Sequence, residues 1–209
     1  MKTIVGLDVS LTSTGVATVT YDDGRCGVSL RTITSSPIGK TLADRAERLL
    51  GLRRSIVAVC RSADLVVIES PAFGAKGANS HDLNGNWWLI VAGLHHLGIP
   101  VAEANVFTVK KFATDSTKAD KADVAAGVSR LWPDAHPHGN DQFDALTLAS
   151  IGLVLAVPRT VADTHGMPFR VLERHRQALA KVVLPQSPQK AGFTWRETDE
   201  QSLPSAASS

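Results

Sequence analysis

The chain has 209 residues, of which 44% are hydrophobic and 20% are charged, with a formal net charge of +2. This composition supplies an apolar core for one large domain, and two cysteines in so long a chain exclude a disulfide-stabilised miniprotein. The longest apolar run, 145–157, is shorter than the roughly 18 residues of a membrane span, and the N-terminus lacks a signal-peptide pattern. We therefore expect a cytoplasmic protein without a membrane partner; the charge permits a nucleic-acid partner.

The first third of the chain predicts a meander of three antiparallel strands followed by a helix. The predicted strands are 2–9, 15–21 and 27–34. Their apolar residues form a short run or alternate, and Asp22-Asp23-Gly24 is typical of a tight turn. The segment 41–60 has apolar residues at helical spacing and should pack on the sheet.

The next part of the chain alternates helices with strands. The sequence ADLVVIE at 63–69 is typical of a strand buried on both faces of a parallel sheet. A strand is predicted at 100–104, and helices are predicted at 82–97, 119–132 and 142–157. Together these elements predict an α/β fold: a mixed five-stranded sheet, with a three-strand antiparallel meander and two parallel strands, flanked by helices.

The composition changes after Pro158. One amphipathic helical pattern follows at 169–183, and the chain ends in SLPSAASS. We predict a domain at 1–157 that contains the whole core, a basic helical extension at 158–184 and a disordered tail at 185–209. The basic side chains of the extension either bind nucleic acid or are simply solvated.

Four carboxylates, Asp8, Glu69, Asp141 and Asp144, lie at the ends of predicted elements. If the strands that Asp8 and Glu69 end are parallel neighbours, these ends lie about 4.8 Å apart at one edge of the sheet. The i, i+3 spacing of Asp141 and Asp144 puts both on one helix face. Each acid alone also has a structural explanation, as a helix cap, a turn residue or a surface acid. Together they favour a site for Mg²⁺ or Mn²⁺, because clustered carboxylates need a cation.

Three segments carry a resemblance to a known family: GLDVSLTSTGVA at 6–17, VVIES at 66–70 and NDQFDALTLA at 140–149. They are similar to the motifs of the RuvC family of Holliday junction resolvases, over roughly residues 2–157. The resemblance implies an RNase H-like fold, a homodimer and metal-dependent cleavage of paired phosphodiesters in branched DNA. It is compatible with a bacteriophage or actinobacterial source, and thus with bacterial or host cytoplasm.

The resemblance also implies roles for single residues. The four acids would be the catalytic and metal-ligating residues, with two Mg²⁺ ions per site and Mn²⁺ as a substitute. The segment 108–124 resembles the family's segment with two lysines, which implies that Lys110 and Lys121 contact DNA phosphates. The products would carry 5′-phosphate and 3′-hydroxyl ends.

Two aromatic features add to this reading. Phe73, in the loop PAFGAKGANS, is expected to stack on an unpaired base of the DNA, or else to anchor the loop. The helix at 82–97, with Trp87 and Trp88, is apolar on most sides and therefore predicts a dimer interface.

Three other functions compete with a junction resolvase. The first is a broader branch or flap nuclease that acts in replication or DNA packaging. The second is an actin-like ATPase, because GLDVSLTSTG also resembles a phosphate loop, although 209 residues are too few for two lobes. The third, a catalytically silent DNA-binding module, is disfavoured by the presence of all four acids.

Overall fold

The computed structural model describes residues 1–71, 80–157 and 166–185. The strands are β1 (Lys2–Asp8), β2 (Ser13–Asp22), β3 (Arg25–Thr34), β4 (Leu65–Glu69) and β5 (Val101–Ala104). The helices are α1 (Leu42–Val59), α2 (Ser80–His96), α3 (Val106–Thr114), α4 (Lys121–Leu131), α5 (Asn140–Ala156) and α6 (Glu173–Leu179). Among the described residues, no helix is both long and apolar enough to span a membrane.

The five strands form one mixed sheet in the order β3-β2-β1-β4-β5. The first three are antiparallel, whereas β4 is parallel to both β1 and β5. Asp23 and Gly24 have positive φ angles of 42° and 79°, as a two-residue hairpin between β2 and β3 requires. The predicted mixed five-stranded α/β sheet is therefore confirmed.

The register between β1 and β4 places two of the predicted acids side by side. Leu7 pairs with Ile68 in the parallel ladder, so the next residues, Asp8 and Glu69, both end their strands at the same edge. Ala104, which ends β5, pairs with Glu69 at that level. We call this the carboxyl edge of the sheet.

Helices cover both faces of the sheet, because the buried residues of β1 and β4 alternate between two cores. Val5, Leu7 and Val66 belong to the core that contains residues of α1 and α2. Ile4 and Val67 belong to the core that contains residues of α3, α4 and α5. Strands buried on both faces explain the continuous apolar run of β4.

Helix α5 lies directly on the backbone of β1 and β2. A Cβ atom on Gly6 would stand 2.1 Å from the carbonyl oxygen of Ala145, and one on Gly15 would stand 1.9 Å from that of Asp141. Side chains at these two positions would push the helix away from the sheet. The glycines of GLDVSLTSTG therefore let the first turns of α5 reach the carboxyl edge.

Helix α3 was not predicted from the sequence. This helix has only nine residues, and Lys110 and Lys111 interrupt its apolar pattern. Its boundaries are nevertheless encoded: the side chain of Asn105 accepts a hydrogen bond from the backbone N–H of Thr108 (2.9 Å), and Asp115 ends the helix with a φ of 69°. The missed helix forms one wall of the site described below.

The described part of the extension shares the core of the domain. Phe169, His175 and Val182 are buried, and α6 is shorter than the helix predicted at 169–183. The backbones of Val183 and Glu103 exchange two hydrogen bonds of 2.9 Å, which fasten the extension to β5. A domain boundary after residue 157 stays a prediction, and the predicted tail, from residue 186 on, lies outside the described residues.

Candidate active site

A cavity of about 350 Å³ lies at the carboxyl edge, between the ends of β1 and β4 and the helices α3, α4 and α5. All four predicted acids and both predicted lysines line it: Asp8, Glu69, Asp141, Asp144, Lys110 and Lys121. The structure thus brings together residues that are up to 136 positions apart in the chain. Phe73, the remaining predicted contact, lies outside the described residues.

Three acids of the cavity, Asp8, Glu69 and Asp144, hold their protons more strongly than free carboxyl groups do. Burial, with the nearby charges of Asp144 and Asp141, raises the pKa of Asp8 to about 7. Burial, with the charges of Asp8 and Asp144, raises the pKa of Glu69 to about 8. The pKa of Asp144 is also raised, mainly by burial. The cavity therefore concentrates more negative charge than its surroundings compensate.

The two lysines compensate part of this charge. The charge of Lys121 lowers the pKa of Asp8 and of Asp144, and that of Lys110 lowers the pKa of Glu69 and of Asp144. Lys110 lies within α3, whereas Lys121 is the first residue of α4. Four carboxylates therefore face two ammonium groups, and the cavity keeps an excess of negative charge when all six are ionised.

The donor set fits a hard divalent cation. The four acids are half-buried, and carboxylates that repel one another are the oxygen ligands that Mg²⁺ and Mn²⁺ prefer. Within the described ranges, no group of three or more His, Cys, Asp or Glu side chains is already gathered as a closed set of metal ligands. The chemistry of the cavity thus fits the metal, although a finished coordination sphere is not preformed.

Ser13 is a residue of the site that the sequence analysis missed. Its hydroxyl donates a hydrogen bond to a carboxylate oxygen of Asp141. The hydroxyl of Ser10 accepts from the backbone N–H of Ser13 and donates to its carbonyl, both at 2.9 Å, so the turn between β1 and β2 is fixed. The sequence signal is the pair of small polar residues just before the glycine on which α5 packs.

A fifth acid, Asp120, lines the cavity but caps the N-terminus of α4. The carboxylate of Asp120 accepts a hydrogen bond from the backbone N–H of Asp123 (2.9 Å), and Asp123 accepts one from Asp120 in return (3.0 Å). This reciprocal pair is the capping box of α4. Asp120 therefore differs from the four predicted acids, which have no such role in a helix cap.

Trp87 and Trp88 lie in different environments, although both were predicted to belong to a dimer interface. Trp87 is buried, and its indole N–H donates to the backbone carbonyl of Glu69 at 2.8 Å. Trp88 is 64% exposed and contacts the Trp87 ring edge-on. Trp87 thus fixes the end of β4 that carries the acid, and Trp88 presents an aromatic surface to solvent.

We expect the metal-free protein to lose thermal stability as the pH rises from about 5 to about 8. In the unfolded chain the two carboxyl groups ionise at their ordinary pKa values of 3.8 and 4.5, whereas in the folded protein Asp8 and Glu69 keep their protons up to pKa values of about 7 and about 8. Between these values the folded state binds more protons than the unfolded chain, so its stability falls with rising pH, by at most about 1.4 kcal/mol per pH unit and proton, and the fall ends once both acids are ionised. Melting temperatures across this range measure the effect.

Two controls accompany this measurement. Mg²⁺ should reduce the fall, because a cation compensates the ionised carboxylates, and Asp8→Asn should show a smaller fall than the native chain. His175 acts in the opposite direction: burial lowers its pKa to about 4, so below about pH 6.5 the unfolded chain binds this proton more strongly, and above that pH the residue makes no contribution. A melting temperature of the native chain that is constant from about pH 6.5 to about 8 would contradict the prediction.

Comparison with known proteins identifies the family. The chain is 30% identical over 148 residues to the crossover junction endodeoxyribonuclease RuvC of Maricaulis maris, a match that covers 70% of this chain and 87% of that protein. The chain belongs to the RuvC family. It is also 28% identical over 151 residues to RuvC of Xanthobacter autotrophicus, covering 70% of this chain and 86% of that protein. No family model matches the chain.

Solved structures agree with the RuvC assignment at the level of the fold. Thermus thermophilus RuvC matches with a TM-score of 0.58 at 19% identity, covering 70% of this chain and 90% of that one. Thermus thermophilus RuvC in complex with a Holliday junction substrate matches with a TM-score of 0.61 at 18% identity, covering 71% and 91%. The RNase H-like fold predicted from the motifs is thus confirmed, and the chain is an enzyme of a nuclease family rather than an actin-like ATPase.

Proposed function

We propose that this RuvC-family protein resolves four-way DNA junctions by paired, divalent-metal-dependent hydrolysis of phosphodiester bonds. The observation that carries the proposal is the convergence of four acids and two lysines in one cavity at the carboxyl edge. Membership of a crossover junction endodeoxyribonuclease family and the likeness to a RuvC solved with a Holliday junction support it. The cytoplasm, bacterial or host, is the proposed location.

The four acids have distinct parts in this proposal. Mg²⁺, two ions per site or Mn²⁺ in their place, supplies charge stabilisation and a more acidic water when bound. Asp8, Glu69 and Asp144 would hold the metal, and Asp141, oriented by Ser13, would either hold it or position the attacking water. We include 5′-phosphate and 3′-hydroxyl ends in the proposal.

The lysines and Phe73 would act on the DNA. Lys110 and Lys121 line the same cavity as the acids, so a phosphate held there would meet both ammonium groups. Phe73 follows β4 in the chain, four residues after Glu69, and its proposed stacking on an unpaired base rests on that position alone. The two lysines would thus bind the DNA backbone, and Phe73 would bind the opened crossover.

A homodimer is part of the proposal. A four-way junction has two-fold symmetry, so paired cleavage needs two sites related by a two-fold axis. On α2, Trp88 is 64% exposed and Leu97, just after the helix, is 44% exposed, which suits an interface. Light scattering should give about twice the chain mass of 22.2 kDa. The variant Trp88→Glu should shift the measured mass towards that of a single chain.

The deciding experiment uses three synthetic DNAs: a four-way junction, a flap and a linear duplex. We expect paired nicks in the junction only with Mg²⁺, and we expect DNA ligase to seal the products without further processing. Flap cleavage as fast as junction cleavage would favour the broader branch nuclease. No Mg²⁺-dependent cleavage of any of the three would contradict the proposal.

Ser13→Ala is expected to slow junction cleavage by about 10- to 100-fold, the usual cost of removing a residue that supports a metal ligand. The Asp141 carboxylate would lose its donor and become less well oriented. The half-saturating Mg²⁺ concentration should rise, and Ser13→Thr, which keeps a hydroxyl, should restore most of the activity. Ser10→Ala is the control, because it loosens the same turn without removing the hydrogen bond to Asp141. An unchanged Mg²⁺ dependence in Ser13→Ala would contradict the prediction.

Lys110→Ala and Lys121→Ala should weaken the binding of all DNA forms alike, because phosphate contacts carry no sequence information. Each lost contact should reduce the slope of log K against log salt by roughly 0.9. Binding titrations at several salt concentrations, with junction and linear duplex, measure both effects. Weaker binding of the junction alone would show instead that the lysines read the branch point.

A further inference from the structure

The positive charge of this protein is concentrated in its extension. Residues 1–157 contain 15 Lys and Arg and 15 Asp and Glu, so this part is electrically neutral. Residues 166–185 contain four basic residues and one acidic residue, a net charge of +3 in 20 positions. The cavity itself holds four predicted acids against two lysines. The excess of positive charge therefore lies outside the cavity, in the extension.

The extension sorts its residues onto two faces. The buried residues are Phe169, Val171, His175, Ala178 and Val182. The basic residues between them are Arg170, Arg174, Arg176 and Lys181, which we call the basic face. Arg170, Arg176 and Lys181 are exposed, and Arg174 is half-buried with its Nε–H 3.2 Å from Nε2 of His175. Packing of the other face on the core thus leaves three of the four cations exposed and Arg174 half-buried.

The basic face lies next to the proposed active site. Val183 is hydrogen-bonded to Glu103, one residue before the level at which β5 pairs with Glu69. Helix α6 packs on α3, and α3 contributes Lys110 to the cavity. At the end of α3, Lys111 pairs with Asp115 at 2.6 Å, and the charge of Arg174 also lowers the pKa of Asp115. Basic side chains therefore continue from the cavity along α3 onto the extension.

We propose that the basic face binds the phosphate backbone of a duplex arm of the DNA whose branch point occupies the cavity. The proposal rests on the proposed function, which brings a polyanion with one charge per about 1.7 Å of duplex to this side of the molecule. Within residues 166–185, Glu173 is the one acid, and it lies 3.9 Å from Arg176. The excess of three positive charges matches a DNA backbone, and the arm adds affinity without taking part in the chemistry.

The test compares two full-length variants that lose the same charge. One changes Arg170, Arg174, Arg176 and Lys181 to Gln. The matched control changes four exposed residues away from the carboxyl edge to Gln: Lys2, Arg25, Arg54 and Arg61. The extension variant should bind the junction at least about 10-fold more weakly, with a salt slope reduced by about 0.9 per lost contact, up to about 3.6. Its single-turnover cleavage at saturating protein should equal that of the native chain.

Three outcomes separate the possibilities. This proposal would be overturned if the extension variant had the same salt slope as the native chain, or if both variants lost the same junction affinity. The proposed function would still stand in that case, as long as the native chain cleaves the junction. Failure of the native chain to bind or cleave any junction would overturn the proposed function itself. Because Arg174 touches His175, a triple variant that keeps Arg174 is measured if the first variant melts at a lower temperature; its salt slope should fall by up to about 2.7.

Discussion

Asp8→Asn is expected to reduce Mg²⁺-dependent junction cleavage by more than about 100-fold, because even residues that only support a metal ligand cost about 10- to 100-fold. The change removes a carboxylate from the carboxyl edge but leaves Lys110 and Lys121 in place. Junction binding without metal should be kept or strengthened, because repulsion between the cavity and the DNA falls. Single-turnover cleavage and binding titrations give the two values separately.

The same loss is expected of the other three predicted acids, changed to the corresponding amides. The chain offers a matched control in Asp120→Asn. Asp120 lines the same cavity, but its carboxylate caps α4, and asparagine is an equally good cap. Cleavage by this variant should stay within a few-fold of the native rate. A loss as large as that of Asp8→Asn would show that total negative charge, and not the identity of the ligands, governs the reaction.

The centre of the site could be predicted because it depends on regular structure. The ends of parallel strands meet at one edge, so Asp8 and Glu69 were expected together once their strands were recognised. The i, i+3 spacing within a helix fixed the relation between Asp141 and Asp144. What the strand and helix patterns alone leave open is which face of the sheet carries α5. The close approach at Gly6 and Gly15 encodes that face, but both glycines were predicted only as residues of the strands 2–9 and 15–21, with no packing role.

The residues that the sequence analysis missed depend on contacts between distant segments. Ser13 matters only because α5 brings Asp141 within reach of its hydroxyl, a relation that spans 128 positions. In the amphipathic helix predicted at 169–183, the aliphatic residue Leu172 is 37% exposed, whereas His175 is fully buried. A histidine stacked on Phe112 can belong to a core, and a periodicity of aliphatic residues does not register it.

Truncation after Val157 is expected to remove several kcal/mol of stability, because Phe169, Val171 and Val182 of the extension pack in the core of the domain. Phe112 is fully buried, with its ring stacked 4.5 Å from that of His175 and edge-on to Phe169. Trp132 also contacts Phe169 edge-on. Each large apolar side chain that becomes exposed costs about 1.5 to 3 kcal/mol, and the total stability of a domain is about 5 to 15 kcal/mol.

The loss should reach the chemistry, because Phe112 lies on the helix that carries Lys110 into the cavity. A chain that ends at Pro185 keeps all of these contacts and is the control; it should melt like the native chain and cleave at a similar rate. Phe169→Ala in the full-length chain tests the same core without a truncation and should cost about 3 to 5 kcal/mol. If the chain 1–157 melts cooperatively at the native temperature, the extension is a separate layer, and the basic face is attached to the domain without stabilising it.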